Sequence, residues 1–449
     1  MQTIVCPVCN GDLKAEPDAF KCRVCSETYN APFGVPLLIP NSKMLKRLDL
    51  PSEEFAQDLG RVAGKCDPKV LSDLREAFSF SFHFDNPVIQ SESTQFLNRL
   101  RSSGVSIRDP YPPSDTVPSS PFSVNDSKAA AVEVKIITFP EVLVSGEVIS
   151  FNIQITNKGS TVLTSKGQTP FRLSYWVVDG DGQQQEGLRT DLLIELRPNS
   201  SITQPIRVAL PKPGKYALKI KPLIENVKWF DSDSTIEIEV PRPPRLFSAK
   251  ARRPFNPVET QITRDYGADH AFALLFLQKC LADMPGETKA IIEIGGNFHP
   301  STSALTQHDV INVDVDPFGL LSAQILYKDQ WSIRHIVADG MHLPVADNSV
   351  DAMVFFSTFH HFPEPVTLLQ HIKRKLKPTG RLFLLCEPVG HVFAENAPEE
   401  FIKELKLGAY EQSFVPWEYN QLLTAAGFEI VDGILDVGSA KIVARPTML

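Results

Sequence analysis

The stretch Ala290-Ile291-Ile292-Glu293-Ile294-Gly295-Gly296 decides how the C-terminal part of the chain is read. A strand covered on both faces is apolar at nearly every position, and glycines after it let the backbone turn sharply and approach a ligand. The run therefore reads as a buried first strand opening into a turn and then a helix. About twenty residues on, Val310-Ile311-Asn312-Val313-Asp314 reads as a second strand with an acid at its end. That is the spacing at which an acidic side chain reaches ribose hydroxyls in a nucleotide-binding α/β fold. His335-Ile336-Val337-Ala338-Asp339-Gly340-Met341-His342-Leu343-Pro344 comes next, and Asp347 to Phe356 forms a turn and a fourth strand. Leu368–Leu376 is helical in pattern, Lys377-Pro378-Thr379-Gly380 ends it, and Arg381–Cys386 is a fifth strand. Strands alternating with helices over 246–449 predict an α/β Rossmann-like domain.

From about residue 263 to the end this succession resembles class I S-adenosylmethionine-dependent methyltransferases of the small-molecule and lipid branch. Asp339 through Gly380 is its most specific part. The resemblance implies that Glu293, Gly295 and Gly296 form the methionine-side loop and that Asp314 binds the ribose. It places Asp339, Gly340 and Met341 at the adenine, with Tyr266 as part of a lid. A carboxylate is acceptor-only, which suits two ribose hydroxyls at Asp314 and the adenine amino group at Asp339. The family usually runs acid-x-Gly-x-Gly-x-Gly, whereas this chain has Gly295-Gly296-Asn297-Phe298-His299. Asparagine tolerates left-handed backbone, so the turn is expected to survive, while Phe298 and His299 are bulkier than the pattern. A Rossmann dehydrogenase, the main competitor, wants three spaced glycines. A catalytically degenerate scaffold stays open. For methyl transfer to oxygen a base is needed, and His360 and His361 follow the fourth strand at the edge where such sheets bind ligands. Glu387, just after the fifth strand, is a second candidate.

At the other end of the chain, Cys6-Pro7-Val8-Cys9 and Cys22-Arg23-Val24-Cys25 are two C-x-x-C pairs twelve residues apart. Two such knuckles complete a closed four-sulfur zinc shell, which is structural because no position is left for a substrate. With Tyr29 to Pro40 the segment resembles the zinc ribbon of the tRNA-methyltransferase activator family. It also resembles ribbons that precede some bacterial rRNA guanine methyltransferases. Its charges nearly cancel and a zinc tetrathiolate adds about −2, so a structural or protein-docking role is expected over phosphate binding.

Between these regions, Val132–Ile137, Glu147–Thr156, Phe171–Val178, Ser201–Val208, Lys215–Ile220 and Ser234–Val240 read as short strands. Six or more at this spacing predict an antiparallel, all-β immunoglobulin-like sandwich, here without an inter-sheet disulfide. The order of its features resembles an accessory domain of surface-polysaccharide enzymes. That likeness implies a glycan site in which aromatic faces stack on sugars: Trp176, Arg189, Glu225 and Trp229. Tryptophans of a sandwich more often fill its core, the reading preferred for Trp176, while Trp229 stays open between core and ligand platform, and the domain as a whole also suits protein contacts.

Four regions follow: a zinc ribbon at 1–40, a partly helical segment and linker at 41–127, the β-sandwich at 128–241 and the methyltransferase region at 246–449. Proline-rich stretches at 102–127 and 241–245 separate them. The net charge of −8 argues against nucleic acid as a partner, since polyanion binders need a basic face. No run of ~18 apolar residues predicts a membrane span. Seven cysteines with four clustered suit a reducing, cytoplasmic compartment. The expected function is methylation, on oxygen, of a sugar or glycan intermediate of surface-polysaccharide biosynthesis, with zinc as a structural metal. Methylation of rRNA or tRNA through the ribbon is the alternative.

Overall fold

A computed structural model describes residues 4–39, 57–61, 122–141, 143, 147–232, 234–240, 266–327, 332–407, 409–436 and 438–447. The expected segment 41–127 is described only at 57–61, a helical turn, and at 122–127; the linker at 241–245 lies outside the described residues. The chain forms two units. One holds Met1–Thr116, Arg264–Glu387 and Leu423–Leu449; the other holds Val117–Thr263 and Pro388–Leu422.

In the first unit, β1 (Leu13–Glu16), β2 (Ala19–Cys22) and β3 (Thr28–Asn30) form a small antiparallel sheet. The side chains of β1 are mostly exposed, so this sheet has little apolar core of its own. The following tail is different: Val35, Leu37 and Ile39 are buried with Leu320, Leu321 and Val337.

The strands of the second unit are β4 (Val132–Ile136), β5 (Val148–Asn157), β6 (Phe171–Leu173), β7 (Tyr175–Asp179), β8 (Gln184–Glu186), β9 (Thr190–Asp191), β10 (Ser201–Ala209), β11 (Gly214–Ile220), β12 (Leu223–Ile224), β13 (Lys228–Trp229) and β14 (Thr235–Val240). They pair antiparallel in three sheets, ordered β10-β5-β4, β14-β11-β7-β8 and β13-β12-β6-β9. All six expected strands are present, with one difference. The run expected at 171–178 divides at Ser174, which is fully buried, so that β6 and β7 join different sheets. The short strands β8, β9, β12 and β13 were not foreseen, because two or three residues are too few to display a period of two.

Residues 266–447 outside the 388–422 segment belong to the first unit and carry its main sheet. Its strands are β15 (Ala290–Ile294), β16 (Asp309–Asp314), β17 (Arg334–Val337), β18 (Val350–Phe356), β19 (Leu376–Pro388), β20 (Phe428–Asp436) and β21 (Ser439–Pro446). The order is β17-β16-β15-β18-β19-β21-β20. The pairs among β15 to β19 are parallel and β20–β21 is antiparallel. Every residue of β15 is buried, as its apolar run demands of a central strand. Helices α1 (Tyr266–Ala282), α2 (Pro317–Tyr327) and α3 (Pro365–Lys375) accompany it. Helix α3 stops one residue short of the expected end, because Leu376 pairs with Val350 in the sheet. Pro317 opens α2, and Asp316 caps it by accepting the N–H of Phe318 at 2.9 Å and of Gly319 at 3.0 Å.

The residues between Glu387 and the final hairpin include α4 (Glu399–Leu407) and most of α5 (Pro416–Ala425). In sequence they belong to the α/β region, yet they pack with the β strands of the second unit. Val392 and Leu405 share a buried cluster with Phe151, Ile153 and Phe171. Tyr410 Oη bonds Gln154 at 2.5 Å and Thr203 at 2.6 Å. Among the described residues, no helix is long and apolar enough to cross a membrane.

Candidate functional site

The glycine turn after β15 is built as its sequence requires. Gly295 has φ +77°, and a Cβ there would collide with Thr358, which follows β18. A Cβ on Gly296 would meet Asn312 Oδ1 at 2.5 Å. Asn297 takes φ +38°, so asparagine does supply the left-handed step. Its N–H donates to Asp314 Oδ2 at 3.0 Å, and its carbonyl accepts from Asn312 Nδ2 at 2.7 Å. Phe298 is fully buried against Tyr327, with ring centroids 5.3 Å apart. The bulk of Phe298 is thus absorbed by the core, while His299 is only partly buried.

Glu293, expected on the methionine side, is buried and accepts the N–H of Ser301 (3.0 Å), the N–H of Thr302 (2.8 Å) and the Thr302 hydroxyl (2.5 Å). Its carboxylate fixes the loop beyond the glycines. Asp314, at the carboxyl end of β16, also accepts the N–H of Asp316 at 2.9 Å, so its two oxygens are oriented by two backbone groups. Asp339 caps the turn 340–342: Oδ1 accepts the N–H of Met341 at 2.9 Å, and Oδ2 lies 2.7 Å from His342 Nδ1. A Cβ on Gly340 would strike the Phe362 ring at 2.8 Å. His342, Asn312, Thr358 and Phe362 were missed in the sequence. His342 was findable, since it stands three residues after Asp339. The other three are brought in only by the sheet. The side chain of Tyr266 lies outside the described residues.

His360 and Glu387 meet at the carboxyl ends of β18 and β19. Glu387 is fully enclosed; it accepts the N–H groups of Thr358 and Phe359 (both 3.0 Å) and of His360 (3.2 Å). Its Oε2 is 2.8 Å from His360 Nδ1. A carboxylate oxygen at that distance accepts Nδ1–H when the ring carries its proton there, which fixes the orientation of the imidazole. Glu387, expected as a second base candidate, thus lies in direct contact with the first. The His361 ring lies against that of His360, centroids 4.1 Å apart. Ser357 and Cys386, just before these residues, have φ +51° and +59°, a sparsely populated conformation for side chains with a Cβ.

Burial shifts two neighbouring groups. It pushes the Asp316 carboxyl up to about 6 from 3.8, against the backbone N–H groups of Gly319 and Phe318, which pull it down. It pushes His335, whose Nδ1 lies 3.2 Å from Asn312 Nδ2, down to about 4 from 6.5.

The four cysteines of the N-terminal sheet converge. Their sulfurs all lie within 4.8 Å of one another, with Cys6–Cys25 at 3.6 Å and Cys9–Cys22 at 3.4 Å. A tetrahedron with zinc–sulfur bonds of ~2.3 Å has edges of ~3.8 Å, so the donor set fits that ion. Tyr29 Oη lies 3.1 Å from Cys6 Sγ, and the N–H groups of Val24 and Cys25 point at Cys22 Sγ (3.3 and 3.4 Å), as outer partners of thiolates do.

In the second unit Trp176, Arg189, Glu225 and Trp229 come together. The indoles meet edge to face, centroids 5.4 Å apart, and the Arg189 guanidinium sits 5.1 Å over Trp229. Arg189 donates to Glu225 at 2.8 Å and to Ser174 Oγ at 2.9 Å, and Arg172 reaches Glu225 at 3.3 Å. The core reading of Trp176 is corrected: Tyr175 and Val177 fill the core, and the intervening Trp176 is only partly buried, on the opposite face. Trp229 is 36% exposed.

The family model described as a methyltransferase domain matches residues 293–384, the span that holds the glycine turn, Asp314, Asp339 and His360. Residues 293–384 are similar to a methyltransferase domain. A demethylmenaquinone methyltransferase of Corynebacterium kroppenstedtii is 30% identical over 146 residues, 32% of this chain. The chain spans 61% of that relative's length. Among solved structures, the 1,6-didemethyltoxoflavin-N1-methyltransferase of Burkholderia thailandensis, with bound 1,6-didemethyltoxoflavin and S-adenosylhomocysteine, is 21% identical, with a TM-score of 0.32 over 40% of this chain and 79% of that one. The CurJ carbon methyltransferase is 15% identical, with a TM-score of 0.34 over 40% of this chain and 55% of that one. The matched residues lie wholly in the first unit.

Proposed function

We propose that the chain transfers a methyl group from S-adenosylmethionine to a hydroxyl of a sugar or glycan intermediate of surface-polysaccharide assembly. The observation that carries the reading is His360 held through Nδ1 by the enclosed Glu387 at 2.8 Å. A hydroxyl must lose its proton as it becomes methylated, and a neutral imidazole of fixed tautomer is a base suited to that near neutral pH. S-adenosylmethionine supplies the electrophilic methyl group. Gly295 and Gly296 let backbone pass close to it, Asp314 receives the ribose, and Asp339 with Gly340 and Met341 receives the adenine. The cysteine cluster holds zinc as a structural ion. The glycan assignment rests on Trp176, Trp229, Arg189 and Glu225, whose aromatic faces and charged hydrogen-bonding groups suit a saccharide. We read the β unit as an immunoglobulin-type accessory domain and the protein as cytoplasmic.

A second reading, favoured by the demethylmenaquinone methyltransferase likeness, is carbon methylation of a phenol-like ring, with His360 taking the ring hydroxyl proton. Radiolabelled S-adenosylmethionine, offered with lipid-linked glycans, nucleotide sugars, quinone precursors and RNA, separates these. Label in a saccharide fraction supports the proposal. Label only in the quinone fraction selects the second reading, and label in RNA alone overturns both. No calorimetric binding at millimolar S-adenosylmethionine defeats the enzyme reading itself.

A further inference from the structure

The loop 338–344, which carries Asp339, Gly340 and Met341, is fastened at both ends by the cysteine-bearing segment. At its start, Val337 N–H donates to Pro36 O at 3.0 Å and Val337 O accepts from Leu38 N–H at 2.9 Å, so the tail pairs in parallel with the edge strand β17. At its end, Pro344 O accepts from Val5 N–H at 2.9 Å, and Ile4 bridges Val345. Val5 is adjacent to Cys6, whose sulfur is one of the four. Leu37, on the tail, is tied back to β3 through Asn30 O at 2.9 Å. The tail also packs on Leu320 and Leu321 of α2, the helix capped by Asp316 two residues beyond Asp314.

The small sheet that presents these contacts has strands of four, four and three residues, with only Cys22 and Tyr29 buried within them. So small a module lacks an apolar core and folds on its metal. When the metal leaves, the fastenings of both loop ends loosen together, and the loop must be ordered at the expense of cofactor binding.

We propose that metal occupancy of Cys6, Cys9, Cys22 and Cys25 and S-adenosylmethionine binding at the 338–344 loop are thermodynamically linked, each tightening the other. This rests on the cofactor reading above. Linkage of two binding equilibria is reciprocal, so one factor describes both directions, and couplings of ~5–150-fold are typical.

The test uses the full chain. Zinc affinity is measured by competition with a chromophoric chelator, without and with saturating S-adenosylmethionine. S-adenosylmethionine affinity is measured by calorimetry on zinc-loaded protein, on stripped protein, and on Val5→Pro, which keeps all four cysteines but removes the N–H that reaches Pro344. We expect zinc to bind about tenfold more tightly with S-adenosylmethionine, and stripped protein to bind S-adenosylmethionine weaker by the same factor. Val5→Pro is expected to hold one zinc per chain while losing at least fivefold in cofactor affinity. Zinc affinity unchanged within twofold by S-adenosylmethionine overturns the proposal, whether or not stripped protein stays folded. So does a zinc-retaining Val5→Pro with wild-type cofactor affinity. Absence of cofactor binding by the zinc-loaded wild type defeats the cofactor reading instead.

Discussion

In the first unit Glu387 holds His360 at 2.8 Å; in the second Glu418 holds His391 at 2.7 Å, and both carboxylates are fully enclosed. The pairs look alike and their surroundings do not. Glu387 spends its remaining capacity on three backbone N–H groups of the turn that carries its own histidine, at the carboxyl ends of parallel strands. Glu418 accepts from the Thr138 hydroxyl and from Val415 N–H, while Asn152 Nδ2 beside it donates to Ser413 O at 3.0 Å. It therefore ties Thr138, just beyond β4, to the segment 388–422, to which Asn152 of β5 is joined through Ser413. Among the described residues, His391 Nδ1 is buried with no hydrogen-bond partner. The difference teaches that two buried Glu–His pairs of similar spacing are told apart by what else the carboxylate holds, and on the proposed function the first serves catalysis while the second serves cohesion.

The sharpest way to break the comparison is to remove each imidazole. His360→Gln is expected to lower kcat by ~10²–10⁴-fold with S-adenosylmethionine affinity intact, measured on the acceptor found by label transfer. His391→Gln is expected to keep the turnover of folded molecules. A comparable kcat loss in His391→Gln would erase the distinction. The next effect is on stability. Glu418→Ala leaves a buried network without its anchor and is expected to cost ~3–5 kcal/mol in the second unit, read by denaturant unfolding with the fluorescence of Trp176 and Trp229. A midpoint unchanged from wild type would show that the pair is not cohesive.

The smallest effect concerns a carboxylate with no imidazole. Asp316 titrates at about 6 when folded, above its ordinary 3.8, so its contribution to stability is complete below about pH 4 and is lost as pH rises through 6. His335, lowered to about 4 by burial, acts in the opposite sense: its contribution is complete above 6.5 and is lost as pH falls toward 4. Asp316→Asn removes the first alone. Relative to wild type the variant is expected to gain about 3 kcal/mol between pH 4 and pH 7. Unfolding midpoints across that range check it, and a flat difference would refute the assignment.

Much of the α/β fold was legible because each buried parallel strand is a continuous apolar run, and Gly295, Asp314 and Asp339 fall at strand ends where a chain must turn. Asn297 was read correctly from its backbone tolerance. Glu387 was legible as a candidate but its partners were not, because three of them are backbone N–H groups that carry no sequence signature. Trp176 was misjudged for the core because a period of two does not say which face of a strand is inward when residues on both are apolar.

The sequence by itself determined the four-sulfur cluster, the order of the strands along the chain and the turn after β15, since these depend on residue type at short spacing. Only the tertiary structure decided that the cysteine segment fastens both ends of the 338–344 loop and that residues 388–422 pack with the β strands. It alone also brought Glu387 against His360. Those outcomes depend on backbone hydrogen bonds and buried contacts between residues distant in sequence, which form only once the chain has folded.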